Sequence, residues 1–296
     1  MVQSSKEVLI YGVDHSPWVQ TVAMALHMAG RPYRLVTGPL SWSQYAQFGY
    51  VMPQCRWPDG TVTADSFEIL RELANRYPEA PCTGELNDDA QRALERLFLS
   101  YILDRTGGIK SMRFLVAWSK MPSGRGPGRF SITRAVMALY FYLLISGGRQ
   151  IARKRGFEPS SLVGFEHHLE TWSQRLAGQP FLGGDSPSCL DIALFGQLQC
   201  MATGLTDRCL DSVAKHTALS AWAQRMQAFI PGYAHDFTAR LRARSQMPRR
   251  ATAMDQCTFW GALLTLVVSG PLTVLLMADG YRRRSRNPHR TGRRRR

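Results

Sequence analysis

Six cysteines are scattered along the 296 residues (Cys55, Cys82, Cys189, Cys200, Cys209 and Cys257), and none stands in a Cys-x-x-Cys or at a His/Cys spacing suited to zinc. This lack argues against a zinc module, so no metal is expected and the cysteines read as buried free thiols. Lysine is missing from Arg240 to Arg296, where fourteen arginines stand against two acids, Asp255 and Asp279. That stretch carries +12 of the formal +15, leaving +3 for everything before it. A nucleic-acid surface needs basic residues spread over folded elements with base-reading side chains. No such motif is visible, and no nucleic-acid partner is expected. A secretory leader is wanting too, since polar Gln3 to Glu7 runs straight into a short apolar segment. The folded part is therefore expected to stay in the compartment where it is made. Charge, finally, is absent from all 22 positions between Cys257 and Ala278.

What is present points to a folded chain. A hydrophobic content of 45% and seven tryptophans supply a sizeable core, and the length suits about two domains. Glu7 to Val13 reads as a strand buried on both faces. Pro17 suits the first turn of a helix whose inward stripe is Trp18, Val22, Ala25, Leu26 and Ala29, stopped by Gly30. Tyr33 to Val36 gives a second strand, and a right-handed parallel crossover is expected between the two. Ser41 to Phe48 reads as a short helix.

The stretch the rest is organised around is Val51 to Leu70. Pro53 opens a strand at Gln54 to Trp57, Pro58-Asp59-Gly60 provides a tight turn, and Thr61 to Ala64 returns antiparallel. Asp65 or Ser66 then caps a helix with Phe67, Leu70, Leu73 and Tyr77 on one face. A cis bond before Pro53 would turn the main chain of Met52 outward, ready to pair with an extended ligand.

Ser16-Pro17-Trp18 after the first strand, Val51-Met52-Pro53, and Asp65-Ser66 followed by Ile69-Leu70 together resemble the glutathione transferase superfamily. So does Pro180-Phe181-Leu182-Gly183 followed by Ser188 and Asp191, similar to the N-capping segment of that superfamily's helical domain. The resemblance implies a thioredoxin-like βαβ-ββα domain followed by a helical bundle. It implies glutathione as co-substrate, paired to the main chain of Met52 before Pro53, with its γ-glutamyl carboxylate on Ser66 and its amine near Asp65. Ser16 is the candidate catalytic residue, its hydroxyl set against the glutathione sulfur; its bland reading is a plain N-cap. His15 could orient Ser16, and Tyr101, Trp118 and Tyr140 could line a site for an apolar co-substrate. A homodimer stays open.

Organisation along the chain follows composition. Residues 6–79 form the glutathione-binding domain, Pro78 to Glu85 has linker composition, and residues 86–244 form the helical domain. Helices are expected from Asn87, over Ile132 to Lys154, Ser160 to Ala177, Thr217 to Phe229 and Phe237 to Arg244. Ser188 and Asp191 have capping-box spacing. Residues 245–256 read as a linker, 257–278 as a transmembrane helix, and 279–296 as an arginine-rich tail. The uncharged run reaches about 30 Å at about 1.5 Å per residue, with Trp260 and Tyr281 near its ends. A C-terminal membrane anchor with the folded domains on the cytosolic side is expected, and Gly270-Pro271 leaves open a re-entrant hairpin instead. Two functions follow. One is a membrane-anchored transferase joining glutathione to apolar electrophiles; the other is a non-catalytic scaffold of the same fold, similar to the metaxins and the ganglioside-induced differentiation-associated proteins.

Overall fold

The computed structural model describes residues 7–12, 16–36, 40–49, 51–80, 87–105, 116, 129–132, 162–201, 212–233 and 252–286. Four short strands, β1 (Val8–Tyr11), β2 (Tyr33–Val36), β3 (Gln54–Arg56) and β4 (Val62–Ala64), form one sheet in the order β2-β1-β3-β4. β1 runs parallel to β2 and antiparallel to β3, and β4 closes the hairpin against β3. Helix α1 (Pro17–Met28) makes the β1–β2 crossover, α2 (Trp42–Phe48) precedes β3, and α3 (Ser66–Arg76) follows β4. This is the thioredoxin-like half that the resemblance implies.

Helix α2 starts on a reciprocal cap. The Ser41 hydroxyl donates to Gln44 Oε1 at 2.8 Å, and the Gln44 amide donates back to Ser41 Oγ at 3.3 Å.

The helical half contains α4 (Asp88–Arg105), α5 (Leu162–Arg175), α6 (Cys189–Met201) and α7 (Thr217–Ala228). Asn87 caps α4, its side-chain oxygen accepting from the Ala90 amide at 2.8 Å. The helices expected over Ile132 to Lys154 and Phe237 to Arg244 lie, apart from Ile132, outside the described residues.

Helix α1 departs from the one-faced stripe that its sequence suggests. Pro17 and every residue from Val19 to Leu26 are buried, including Gln20 and Thr21, while Trp18 and Ala29 are only half-buried. The reason is a second partner. One side of α1 covers the sheet and α3, and the other packs along α6, where Gly196 lets the two backbones approach. A Cβ on Gly196 would sit 2.9 Å from the Thr21 nitrogen and 3.0 Å from the Pro17 carbonyl oxygen. The polar residues are satisfied locally: Thr21 Oγ1 donates to the Pro17 carbonyl at 2.9 Å, and Tyr233 donates its hydroxyl to Gln20 Oε1 at 2.8 Å. One continuous core therefore runs from Ile10 and Val22 through Leu94 and Phe165 to Phe195 and Trp222.

The C-terminal stretch differs from the single helix expected over 257–278. Helix α8 (Ala253–Val268) starts four residues earlier, where Thr252 and Asp255 form a capping box, and it ends at Ser269. Helix α9 (Gly270–Arg286) continues at a bend of 71°. Among the described residues no single helix is long and apolar enough to cross a membrane. The physical cause of the break is Pro271, which brings no N–H to extend the hydrogen-bond ladder of α8.

Candidate functional site

Strand pairing sets the site. Tyr11, the last residue of β1, faces Gln54, the first of β3, and Gln54 in turn faces Ala64, the last of β4. Tyr11 also faces Val36 at the end of β2. The segment leading to α1, the Met52–Pro53 turn and the start of α3 therefore leave from one end of the sheet. Two contacts tie that corner together. The Asp65 amide donates to the Pro53 carbonyl at 3.0 Å, and the rings of Trp18 and Phe67 lie 5.8 Å apart, so the first turns of α1 and α3 touch. Trp18 also meets Phe98 of α4 at 5.9 Å, which brings the helical half to the same corner.

The Met52–Pro53 bond is cis. Pro53 is buried, whereas Met52 is 39% exposed and its main chain pairs with no described residue. Behind it Gln54 is fully buried, its amide nitrogen donating to the carbonyl of Val51 at 3.1 Å and so fixing the approach of the chain to Met52.

Asp65 is, among the described residues, the only non-glycine at positive φ, at 80°. L-residues rarely adopt that conformation, and it tends to persist where the surroundings impose it. Here the Pro53 hydrogen bond and the helix hold it, with Asp65 Oδ1 accepting from the Phe67 amide at 3.1 Å. Asp65 is thus the N-cap of α3, and Ser66, 4% exposed, is its first residue. At that position the Ser66 amide has no intrahelical acceptor.

Ser16 occupies the N-cap position of α1, with extended backbone at φ −84° and ψ 127°, but its hydroxyl makes no capping hydrogen bond. The plain N-cap reading thus holds for the backbone and not for the side chain. The first turn of α1 carries no acid, so no side chain of that turn offsets the positive end of the helix beside Ser16. His15 lies outside the described residues.

The proposed apolar liners fare differently. Tyr101 is 2% exposed and donates its hydroxyl to the Cys200 carbonyl at 3.1 Å, so it belongs to the core between α4 and α6 and not to a pocket wall. Trp118 and Tyr140 lie outside the described residues. Sequence reasoning missed Trp18 as the residue that joins α1, α3 and α4 at the corner; its place two residues after Ser16 was the available signal. Burial pushes the Cys55 thiol well above the ordinary range, and Cys189 and Cys200 are buried as well. Among the described residues no three His, Cys, Asp or Glu side chains gather as metal ligands.

Three comparisons bear on this geometry. Residues 150–225 match the family described as glutathione S-transferase, C-terminal domain. No curated protein matches the chain. Among solved structures the chain is similar to a glutathione S-transferase from Methylobacterium radiotolerans in complex with glutathione sulfonate, at 19% identity and a TM-score of 0.47, over 78% of this chain and 94% of that one. It is similar to glutathione S-transferase unclassified 2 from Bombyx mori, at 13% identity and 0.47, over 83% and 99%. A glutathione S-transferase from Xanthobacter autotrophicus gives 22% identity and 0.42, over 76% and 94%. The described residues form a thioredoxin-like sheet joined to a helical domain, and the family match falls within the helical part.

Proposed function

We propose that this protein is a glutathione-dependent transferase, held at a membrane by its C-terminal helices, that joins the glutathione thiolate to apolar electrophiles. The observation that carries the reading is the corner itself: the main chain of Met52, paired with no described residue, the positive-φ Asp65 with Ser66 at the start of α3, and the uncapping Ser16 hydroxyl all leave from one end of the sheet. The match of residues 150–225 to the family's C-terminal domain supports it.

In this reading the cysteinyl main chain of the tripeptide pairs with Met52 beside Pro53. Its γ-glutamyl carboxylate accepts from the Ser66 amide and hydroxyl, where the end of a helix favours an anion. The Asp65 carboxylate offers negative charge to the ligand's ammonium group. Ser16 donates its hydroxyl to the sulfur, and the N-terminal end of α1 favours the thiolate over the thiol. The thiol proton leaves to solvent, and the sulfur lone pair forms the new carbon–sulfur bond as the electrophile's leaving group departs. Electrophiles that partition into lipid suit an enzyme held at a membrane with its folded domains on the cytosolic side.

The test uses the full chain in mild detergent. Calorimetry is expected to detect glutathione at roughly millimolar affinity or better, about −4 kcal/mol. Ser16→Ala is expected to lower kcat/KM for an apolar aryl halide about 10- to 100-fold, the worth of one hydrogen bond to a charged group, while glutathione affinity changes little. Absence of binding would leave the non-catalytic scaffold.

A further inference from the structure

We propose that α8 and α9 enter one leaflet of an anionic bilayer without crossing it, so that the arginine-rich end stays on the same side as the folded domains; this rests on the membrane-held reading above. Part of each arm is covered. At the start of α8, Asp255, Phe259 and Ala262 are 0 to 1% exposed, and the ring of Phe130 lies 3.7 Å from where a Cβ on Gly261 would stand. Helix α9 in turn lies against α2 of the first domain.

What lies between the covered parts is apolar. Leu264, Val267, Val268, Leu272, Val274 and Leu275 are 61 to 78% exposed, an uncovered surface without a charged side chain from Cys257 to Ala278. Two hydroxyls near the turn are bonded within their own helix: Thr265 donates to the Gly261 carbonyl at 2.9 Å, and Ser269 donates to the Thr265 carbonyl at 3.0 Å. Those two groups can leave water without losing a partner.

Length decides against a span. Helix α8 has 16 residues, about 24 Å, and its first half is committed to the body. The uncharged part of α9, Pro271 to Ala278, reaches about 12 Å. Neither arm covers a hydrocarbon core of roughly 30 Å, and the 71° bend prevents their lengths from adding along one axis. Apolar helical stretches this short suit a re-entrant element and not a span.

Charge selects the occupant. The sequence that follows the apolar stretch, Arg282 to Arg296, holds nine arginines and no acid. A second copy of the chain would bring the same cations to the contact, whereas a layer of anionic headgroups neutralises them.

The experiment adds the full-length protein, carrying a C-terminal epitope, to sealed vesicles of equal parts phosphatidylcholine and phosphatidylserine. The expected result is co-sedimentation, with the epitope removed by external trypsin from essentially all bound protein while the vesicles stay intact. The double variant Gly270→Leu, Pro271→Leu, in which α8 can run on into α9, is expected to pellet equally and to become protected. A protected epitope in the wild type would overturn the one-leaflet inference and leave the membrane reading standing. Failure to pellet, with a dimer on gel filtration, would overturn both and assign the patch to a contact between copies.

Discussion

Asp191 shows how much one side chain can organise. It is fully buried and accepts from five donors: the amides of Leu182, Gly183 and Ser188, the Ser188 hydroxyl, and the indole N–H of Trp222. Hydrogen bonds to a charged group are each worth about 1.5–3 kcal/mol, and a donor left unpaired in the core costs as much again. Asp191→Ala is therefore expected to destabilise the protein by about 3 kcal/mol or more, against about 1 kcal/mol for Ser188→Ala, which removes the two bonds of the Ser188 hydroxyl with Asp191. Urea unfolding of the two variants checks this; equal losses would mean that the carboxylate only caps its helix. The Ser188–Asp191 spacing is legible in the sequence because capping is local. Trp222 is not, because it reaches Asp191 only when α7 packs on α6. The same local device recurs unannounced at Ser41–Gln44 and Thr252–Asp255.

Among elements, the β3–β4 hairpin and α3 are joined at the surface through Arg76. Its guanidinium meets Asp59 at 2.7 Å, Glu72 at 2.6 Å and the Thr61 hydroxyl at 2.8 Å, and lies 4.8 Å over the Trp57 ring. The Thr61 hydroxyl first, then Arg76, hold the Asp59 carboxyl at about 2, below its ordinary 3.8. A carboxyl lowered on folding stabilises the fold above its unfolded value, and that contribution fades as pH falls through the folded value. The difference in urea midpoint between wild type and Asp59→Asn is thus expected to be full at pH 5 and above and to close between about pH 4 and 2. Because Asp59 is half in solvent, the gap should be small and should shrink with salt. A gap that did not change over that range would remove the carboxyl from the account. The hairpin was readable here from Pro53, which opens β3, and from the turn residues Pro58-Asp59-Gly60. The order β2-β1-β3-β4 was not, since pairing between distant strands leaves no local trace. In the tail the uncharged run was visible, and so was Gly270-Pro271, but hydropathy alone could not decide between a kink and a break.

For the molecule as a whole, the contact of α1 with α6 is decisive. A Cβ at Gly196 would meet the Thr21 hydroxyl at 2.7 Å and main-chain atoms of Thr21 and Pro17 within 3.0 Å, and main chain cannot rotate aside. Gly196→Ala is expected to cost about 1–3 kcal/mol by forcing the helices apart. Since Pro17 directly follows Ser16, the variant should also lower kcat/KM for the proposed conjugation more than it raises the KM for glutathione, if Ser16 acts as proposed. Thermal unfolding and steady-state kinetics of the variant test both halves; normal kinetics would mean that α1 moves without carrying Ser16. Sequence periodicity saw α1 as a one-sided helix because it records only which residues are apolar, and Gln20 and Thr21 are not. Their partners, Tyr233 and the Pro17 carbonyl, exist only in the folded chain.

A helix used as a wall by both halves limits how far the chain is modular. Pro78 to Glu85 marks a change of composition, yet a cut there would strip α1 of the face that α6 covers. Transplanting the sheet half into another scaffold would have to carry α6 and Tyr233 with it, or supply substitutes of matching shape.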